Sequence, residues 1–224
     1  FETTAPATAM ALWTAKRNGI SNFSVLLSHF LVPPAISAIA EDRENRVQGF
    51  LAPGHVCAIT GLEAYTALSQ TYRMPMVITG FEPVDILQGI LRCVTQLERG
   101  EASTDNQYRR VVADKGNTAA QQIMDAVFQT SDQAWRGIGI IKNSGLQLSN
   151  DYHQYDATAL THSASSRSPA NIPVQQSCIS GDILRGLKKP PQCPHFGKSC
   201  RPEHPLGAPM VSSEGACAAY FHYQ

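Results

Sequence analysis

Four cysteines crowd the last fifth of this chain, in a stretch that cannot build much of a core by itself. They are Cys178, Cys193, Cys200 and Cys217. Around them stand Pro190, Pro191, Pro194, Gly197, Pro202, Pro205, Gly207 and Pro209. Proline removes a backbone donor and breaks helices, and glycine has no side chain to pack. Such a segment buries little apolar surface per residue, so something else must hold it. Four thiolates around a metal centre would do so. The two remaining cysteines, Cys57 and Cys93, lie in segments that read as ordinary core.

The late cysteines are separated by fourteen, six and sixteen residues. Neither C-x-x-C pairs nor a ferredoxin run is present, so spacing leaves zinc and iron–sulfur both open. His195 and His204 are available as substitute ligands, although four thiols suffice. Disulfide pairing is the other reading. In a cytoplasmic chain, clustered cysteines are more often ligands or redox groups.

Cytoplasm is the expected compartment. No apolar run reaches the roughly 18–20 residues that cross a bilayer, and no basic-then-apolar signal peptide opens the chain. Eighteen basic residues balance eighteen acidic ones. That balance excludes a nucleic-acid binder driven by phosphate neutralisation. The 224 residues, 43% hydrophobic, suffice for one large or two modest domains. The chain starts at Phe1, directly on a helix start, as though a strand should precede it. A truncated or partial sequence is the expectation.

Up to about residue 101, helical and strand patterns alternate. Residues 4–18 are Ala-rich, with Pro6 in a first helical turn and Gly19 closing it. Residues 22–28 (NFSVLLS) read as a buried strand. Pro33 and Pro34 open a second helix to about Glu44, and residues 47–51 form another strand. Residues 55–72 read as helix with a weak spot at Gly61. Residues 74–79 (MPMVIT) form a third strand. Pro83 opens a strong helix with Ile86, Leu87, Ile90, Leu91, Val94 and Leu97 at helical spacing. The alternation implies an α/β fold, a mostly parallel doubly wound sheet with crossover helices. Residues 118–130 resume a helical pattern, and residues 157–177 read as a Ser/Thr/Ala-rich loop or insertion. An α/β lobe over 1–112 and a loop-rich metal-binding domain over 113–224 are expected.

Four motifs fall at carboxyl ends of strands, the edge where open α/β sheets bind ligands. They are Phe1–Pro6 before the first helix, Ser28-His29, Ala52-Pro53-Gly54-His55, and Gly80-Phe81-Glu82-Pro83. A Glu before a helix is commonly a cap or a dipole partner, and a lone His is commonly structural. Two Glu and two His converging on one edge are harder to read as separate accidents. Glu2, His29, His55 and Glu82 are therefore candidate cleft residues, with Asp85 in reach of them. Asn106–Arg110 is a polar cluster after the sheet, either a solvated turn or part of the site.

Taken together, these motifs resemble the hydrogenase maturation factor HypD family. The matching stretches include FETTAPATA (1–9), LVPPA (31–35), GFLAPGHV (49–56), GFEPVDIL (80–87), NQYRRVV (106–112) and WRGIG (135–139). In the tail they include CISGDILRGLKKP (178–190), CPHFGKSC (193–200) and HPLGAPMVSSEGACAAY (204–220). The resemblance implies two α/β lobes and a third domain holding a [4Fe–4S] cluster on Cys178, Cys193, Cys200 and Cys217. It implies a scaffold for assembling an iron with one carbonyl and two cyanides, Fe(CN)2CO, during nickel–iron hydrogenase maturation. A small HypC-type protein would share that iron, and a HypE-type protein would supply cyanide. The family's upstream Cys-Gly-Thr-His and Pro-Gly-Cys-Pro-x-Cys motifs are absent from this sequence, so the iron site is incomplete in it. Residues 157–177 also depart from the family pattern. Two other functions stay open on the residues alone: an iron–sulfur thiol–disulfide oxidoreductase and a zinc-stabilised interaction module without catalysis.

Overall fold

The computed structural model describes residues 1–158 and 178–223. The loop expected over residues 157–177 lies outside the described residues from position 159 onward. Helix α1 (Ala5–Arg17) has proline in its first turn and Lys16 and Arg17 in its last, matching both helix ends. Its buried side is Ala5, Ala9, Leu12 and Ala15, a single stripe at helical spacing. A short strand β1 (His29–Phe30) follows. Helix α2 (Val32–Ala40) opens on its two prolines, strand β2 is Phe50–Pro53, and α3 is Gly54–Thr60. Helix α4 (Glu63–Tyr72) is separated from α3 at Gly61, where φ is +77°. A Cβ at Gly61 would also meet the Asp114 carbonyl oxygen at 2.6 Å, so the sequence's weak spot is a required break.

Strand β3 (Met76–Thr79) is buried at every position. Helix α5 (Pro83–Glu98) and strand β4 (Thr104–Asn106) complete a parallel three-stranded sheet in the order β2-β3-β4. A continuous apolar run buried on both faces is what a central parallel strand requires. The α/β class expected from the alternation is therefore present.

The second sheet was not legible. Helix α6 (Thr118–Val127) starts at Asn117, whose side chain accepts the Ala120 N–H at 3.0 Å. It ends three residues before the expected limit, because Phe128 begins strand β5 (Phe128–Trp135). Strand β5 pairs antiparallel with β6 (Gly139–Leu148), and β6 pairs antiparallel with β1. The expected strand over residues 22–28 is corrected accordingly. That segment makes one parallel bridge, Val25 to Asp156, and the ladder belongs to His29 and Phe30 instead. Phe23, Val25 and Leu27 are half-buried because they pack on a core.

Three buried clusters organise the chain. The first joins α1 to α6 and the hairpin through Leu12, Val127, Phe128, Leu146, Leu148 and Tyr155. The second lies under the parallel sheet, with Ile36, Ala52, Tyr65, Leu68, Met76 and Ile78. The third is in the tail: Cys200, Met210, Cys217 and Ala218. By packing, α6 and the hairpin go with α1, although the sequence division at residue 112 separates them. The tail contributes two short helices, α7 (Ser180–Leu184) and α8 (Ala216–His222). It is tied back to the sheet lobe by Arg185, which donates to Asp42 at 2.9 Å. Among the described residues no helix is long and apolar enough to cross a membrane.

Candidate functional site

The carboxyl ends of β2, β3 and β4 bring three motifs together. His55 sits at the start of α3, Phe81 and Glu82 between β3 and α5, and Tyr108 and Arg110 just after β4. The His55 ring lies 4.7 Å from the Phe81 ring and 5.9 Å from Tyr108, centroid to centroid. Arg110 rests its guanidinium 4.4 Å over the Tyr108 ring, close enough for a cation–π contact.

Asp85 anchors this group. Its carboxylate is buried and accepts from Arg110 Nη1 and from Gln107 Nε2, each at 2.8 Å, while Arg110 Nη2 reaches its second oxygen. Arg110, with the hydrogen bonds around it, holds the Asp85 carboxyl well below the usual carboxylate range and raises its own pKa in turn. Arg110 also reaches Glu82 at 3.4 Å. Gly80 makes room here, since a Cβ would press on the carboxylates of Asp85 and Glu82 and fall 2.7 Å from the Tyr108 ring. His55 and Glu82 thus share one surface. The sequence pointed to Asp85 and to the 106–110 cluster, but not to the way Arg110 joins them.

Glu2 and His29 stand elsewhere. Glu2 is only 1% exposed, so it does not line an open surface. One of its oxygens accepts the Val32 N–H at 2.8 Å, serving the exposed amide at the start of α2. The other oxygen is buried without a hydrogen-bond partner among the described residues. Burial pushes the Glu2 pKa up, against the lowering effect of that backbone bond. Its charge is felt by Cys57, whose thiol burial raises to about 12. Cys57 is therefore an inert core thiol, as its sequence context suggested. His29 shares a 3.2 Å hydrogen bond with Thr8 and packs 6.1 Å from the Phe128 ring. Burial lowers its pKa. Its place in an antiparallel strand, not at the end of a parallel one, separates it from His55.

The tail gathers its four cysteines. All six cysteines of the chain are free thiols. The Cys217 thiol is raised to about 11, first by burial and then by the charges of Cys200, Cys178 and Cys193. Local backbone places each one. Cys193 closes a 3-10 turn by donating its N–H to Pro190, and Cys200 closes a loop onto His195. Cys217 sits in the first turn of α8. Cys200 Sγ accepts the Leu206 N–H at 3.4 Å. Gly207 leaves room for sulfur, since a Cβ there would come within 2.7 Å of Cys178 Sγ. His195 shares a 2.7 Å hydrogen bond with Ser199.

Among the described residues no three His, Cys, Asp or Glu side chains close to the spacing of a single ion. A single zinc draws its sulfurs to about 2.3 Å from one point, whereas a multi-iron cluster takes one thiolate at each separated iron. Four thiols sharing a neighbourhood are a donor set that either kind of centre accepts. The tail's link to the rest includes Gly137, in the turn of the β5–β6 hairpin. With φ at +88° it lies so close to α7 that a Cβ would meet Ser180 Oγ at 2.4 Å.

Comparison with known proteins gives the family of this chain. The sequence profile described as "HypD: Hydrogenase formation hypA family" matches residues 1–224. The hydrogenase maturation factor HypD of Escherichia coli is 42% identical over all of this chain and 59% of its own length. The Rhodobacter capsulatus factor of the same name is also 42% identical, over 59% of its length. A putative hydrogenase expression/formation protein of Methanocaldococcus jannaschii is 39% identical over 61% of its length. The chain thus spans about three fifths of the relatives it matches, and over that span it belongs to the HypD family of hydrogenase maturation factors.

Proposed function

We propose that this chain works in hydrogenase maturation, as part of a scaffold on which an Fe(CN)2CO unit is assembled. Cys178, Cys193, Cys200 and Cys217 would hold a [4Fe–4S] cluster. The observation that supports the reading is that Cys200 and Cys217 share one buried cluster, with Cys178 Sγ against Gly207, next to the Leu206 whose N–H Cys200 accepts, in a segment with little other core. When bound, the cluster supplies electrons. It also supplies the crosslink that a Pro/Gly-rich tail otherwise lacks.

The iron dicyanide unit is cargo. Cyanide nitrogens are acceptors, so a donor must face them, and His55 is the exposed donor at the sheet edge. Phe81 and Tyr108 hold its ring from two sides. Glu82 is engaged by Arg110, which suits a supporting role better than direct contact with an anionic ligand. Glu2 would act from beneath, by fixing the start of α2. The HypC-type and HypE-type proteins are the proposed partners, and the cytoplasm the proposed compartment.

Anaerobic purification and visible spectroscopy test the cluster. Broad absorption with about four irons per chain is expected. A colourless protein containing zinc would overturn the reading, since a filled d shell gives zinc no visible bands.

A further inference from the structure

Helix α7 is too short to place itself. It has five residues, Ser180–Leu184, and Ser180 is the one buried among them. A helix of barely more than one turn does not hold in water alone, so contacts outside it set its position. Cys178 lies two residues before it. Both Cys178 Sγ and Ser180 Cβ border Gly207, where an added Cβ would fall 2.7 Å from the first and 3.3 Å from the second. Where α7 sits therefore decides where Cys178 sits.

The helix is gripped at both ends. At its start, Gly181 lies so close to the Gly137 carbonyl of the hairpin turn that no side chain fits between them. At its end stands Arg185, whose guanidinium donates in three directions. Nη1 reaches Asp42 at 2.9 Å, Nη2 reaches Asp182 at 2.7 Å, and Nε reaches the Gly181 carbonyl at 3.3 Å. Asp42 belongs to the turn between α2 and β2, so this one side chain spans the tail and the sheet lobe. A rigid fork of donors suits that span better than the single point of an ammonium.

The two carboxylates depend on Arg185 unequally. Asp182 has a second cation, Lys188 at 3.1 Å, so α7 keeps an ion pair of its own without Arg185. Among the described residues, Asp42 pairs with no cation but Arg185. The Glu44 N–H donates to Asp42 Oδ1 at 2.9 Å, which fixes the carboxylate and leaves Oδ2 for the guanidinium. The Arg46 N–H joins the same junction, donating to the Arg185 carbonyl at 2.9 Å. The Arg185 and Asp42 side chains are 27% and 30% exposed, so salt reaches the pair.

We propose that Arg185 is a positioning residue for the cysteine site. By fastening the end of α7 to Asp42 of the sheet lobe, it holds Cys178 in place and seats the site against that lobe. The inference rests on the reading of Cys178 as a ligand.

Iodoacetamide labelling of the full chain, purified anaerobically, tests it, with each modified cysteine read by mass spectrometry. The measured quantity is the labelling rate of Cys178 relative to Cys217, which α8 seats instead. Asp42→Asn should raise that ratio about fivefold, as loss of one partly exposed ion pair allows. Arg185→Gln should raise it at least as much, and the double variant no more than Arg185→Gln alone, since both remove the same bond. Asp42→Glu keeps a carboxylate and should keep the wild-type ratio. Added salt should raise the ratio in the wild type and leave Asp42→Asn unmoved, a profile that apolar packing would not give. The proposal fails if Asp42→Asn leaves the ratio unchanged or if the two single effects multiply in the double variant. It also fails if Cys217 labelling rises in step with Cys178, which would mean general loosening. The ratio is defined with or without bound metal, so the metal content and colour of the wild type judge the cluster reading separately.

Discussion

The parallel-sheet lobe and the cysteine tail hold their sites in opposite ways. In the lobe, His55, Asp85 and Arg110 sit above a buried cluster built from Ile36, Leu68, Met76 and Ile78. The polar group can be altered without removing that cluster. In the tail, two of the four buried core members are Cys200 and Cys217 themselves. There the candidate ligands and the core are the same residues. A lobe of the first kind can fold and then vary its chemistry. In a tail of the second kind, a change to a candidate ligand is also a change to the core.

The strongest challenge to this contrast is Cys200→Ala. We expect loss of iron and a protease-sensitive tail, while the lobe keeps its melting transition. Unchanged iron content in anaerobically prepared protein would remove Cys200 from the ligand set. A collapse of the lobe along with the tail would erase the distinction between the two regions.

Ile78→Ala probes the other side. Ile78 is fully buried in the central strand, and truncation should cost about 2–5 kcal/mol. Thermal unfolding should shift for the lobe while iron–sulfur absorption at low temperature persists. Loss of colour at temperatures where the lobe is still folded would show that the tail depends on the lobe's packing.

Asp85→Asn should have a smaller, pH-dependent effect. The native carboxyl is held below its ordinary pKa of 3.8, so its stabilisation is present above that value. It fades as pH falls through the usual carboxylate range toward the depressed native value. The variant should melt below wild type at neutral pH, with the gap narrowing under acid. A gap that is constant with pH would mean that the Arg110 pair contributes little. The His55 ring resonances should also shift in this variant, because Arg110 holds Tyr108 and Tyr108 borders His55.

Glu2→Gln should have the smallest effect, and of opposite sign. Burial raises the Glu2 pKa, so the native state resists ionisation. Stability then falls as pH rises from the ordinary value of 4.5 through the raised one. The amide keeps an oxygen for the Val32 N–H and carries no charge. A gain below about 1 kcal/mol is expected at neutral pH, with none near pH 4. Destabilisation at neutral pH, measured by thermal melting, would show that Glu2 is needed as a carboxylate.

What the sequence revealed follows from which residues are governed locally. Pro6, Pro33, Pro34 and Pro83 act on their own backbone, and each opens a helix as expected. Gly61 likewise breaks its helix where φ must be positive. The run at 22–28 misled because burial and hydrogen bonding separate there. Its apolar side chains meet the first core, but among the described residues its backbone meets only one neighbour, around Tyr155 and Ala157. The hairpin was hidden because β5 is largely exposed, with Gln129, Ser131 and Gln133 along it, so no apolar alternation marks it. For α5 the spacing identified the helix but not the direction it faces. Direction depends on Asp85, Arg92 and Gln96 finding partners, and those partners lie in other elements. The same holds for the site. Strand ends placed His55 and Glu82 together, while Glu2 and His29 were separated by a sheet that no periodicity announced.

The pairing of His29 with Leu146 has a consequence for how this protein is made. It closes a loop containing about half of the chain, and the parallel-sheet lobe lies wholly inside that loop. On a ribosome, α1 and β1 emerge long before their partners α6 and β6. They carry the apolar stripe of Ala5, Ala9, Leu12 and Ala15 before its partners in α6 and β6 have been made. The buried cluster of the enclosed lobe comes entirely from residues that follow α1, so it can condense first. Once folded, it brings the two ends of the loop near each other and lowers the entropy lost in joining them. The first helix therefore waits on the completion of the lobe behind it, and chaperones have most to protect in that interval.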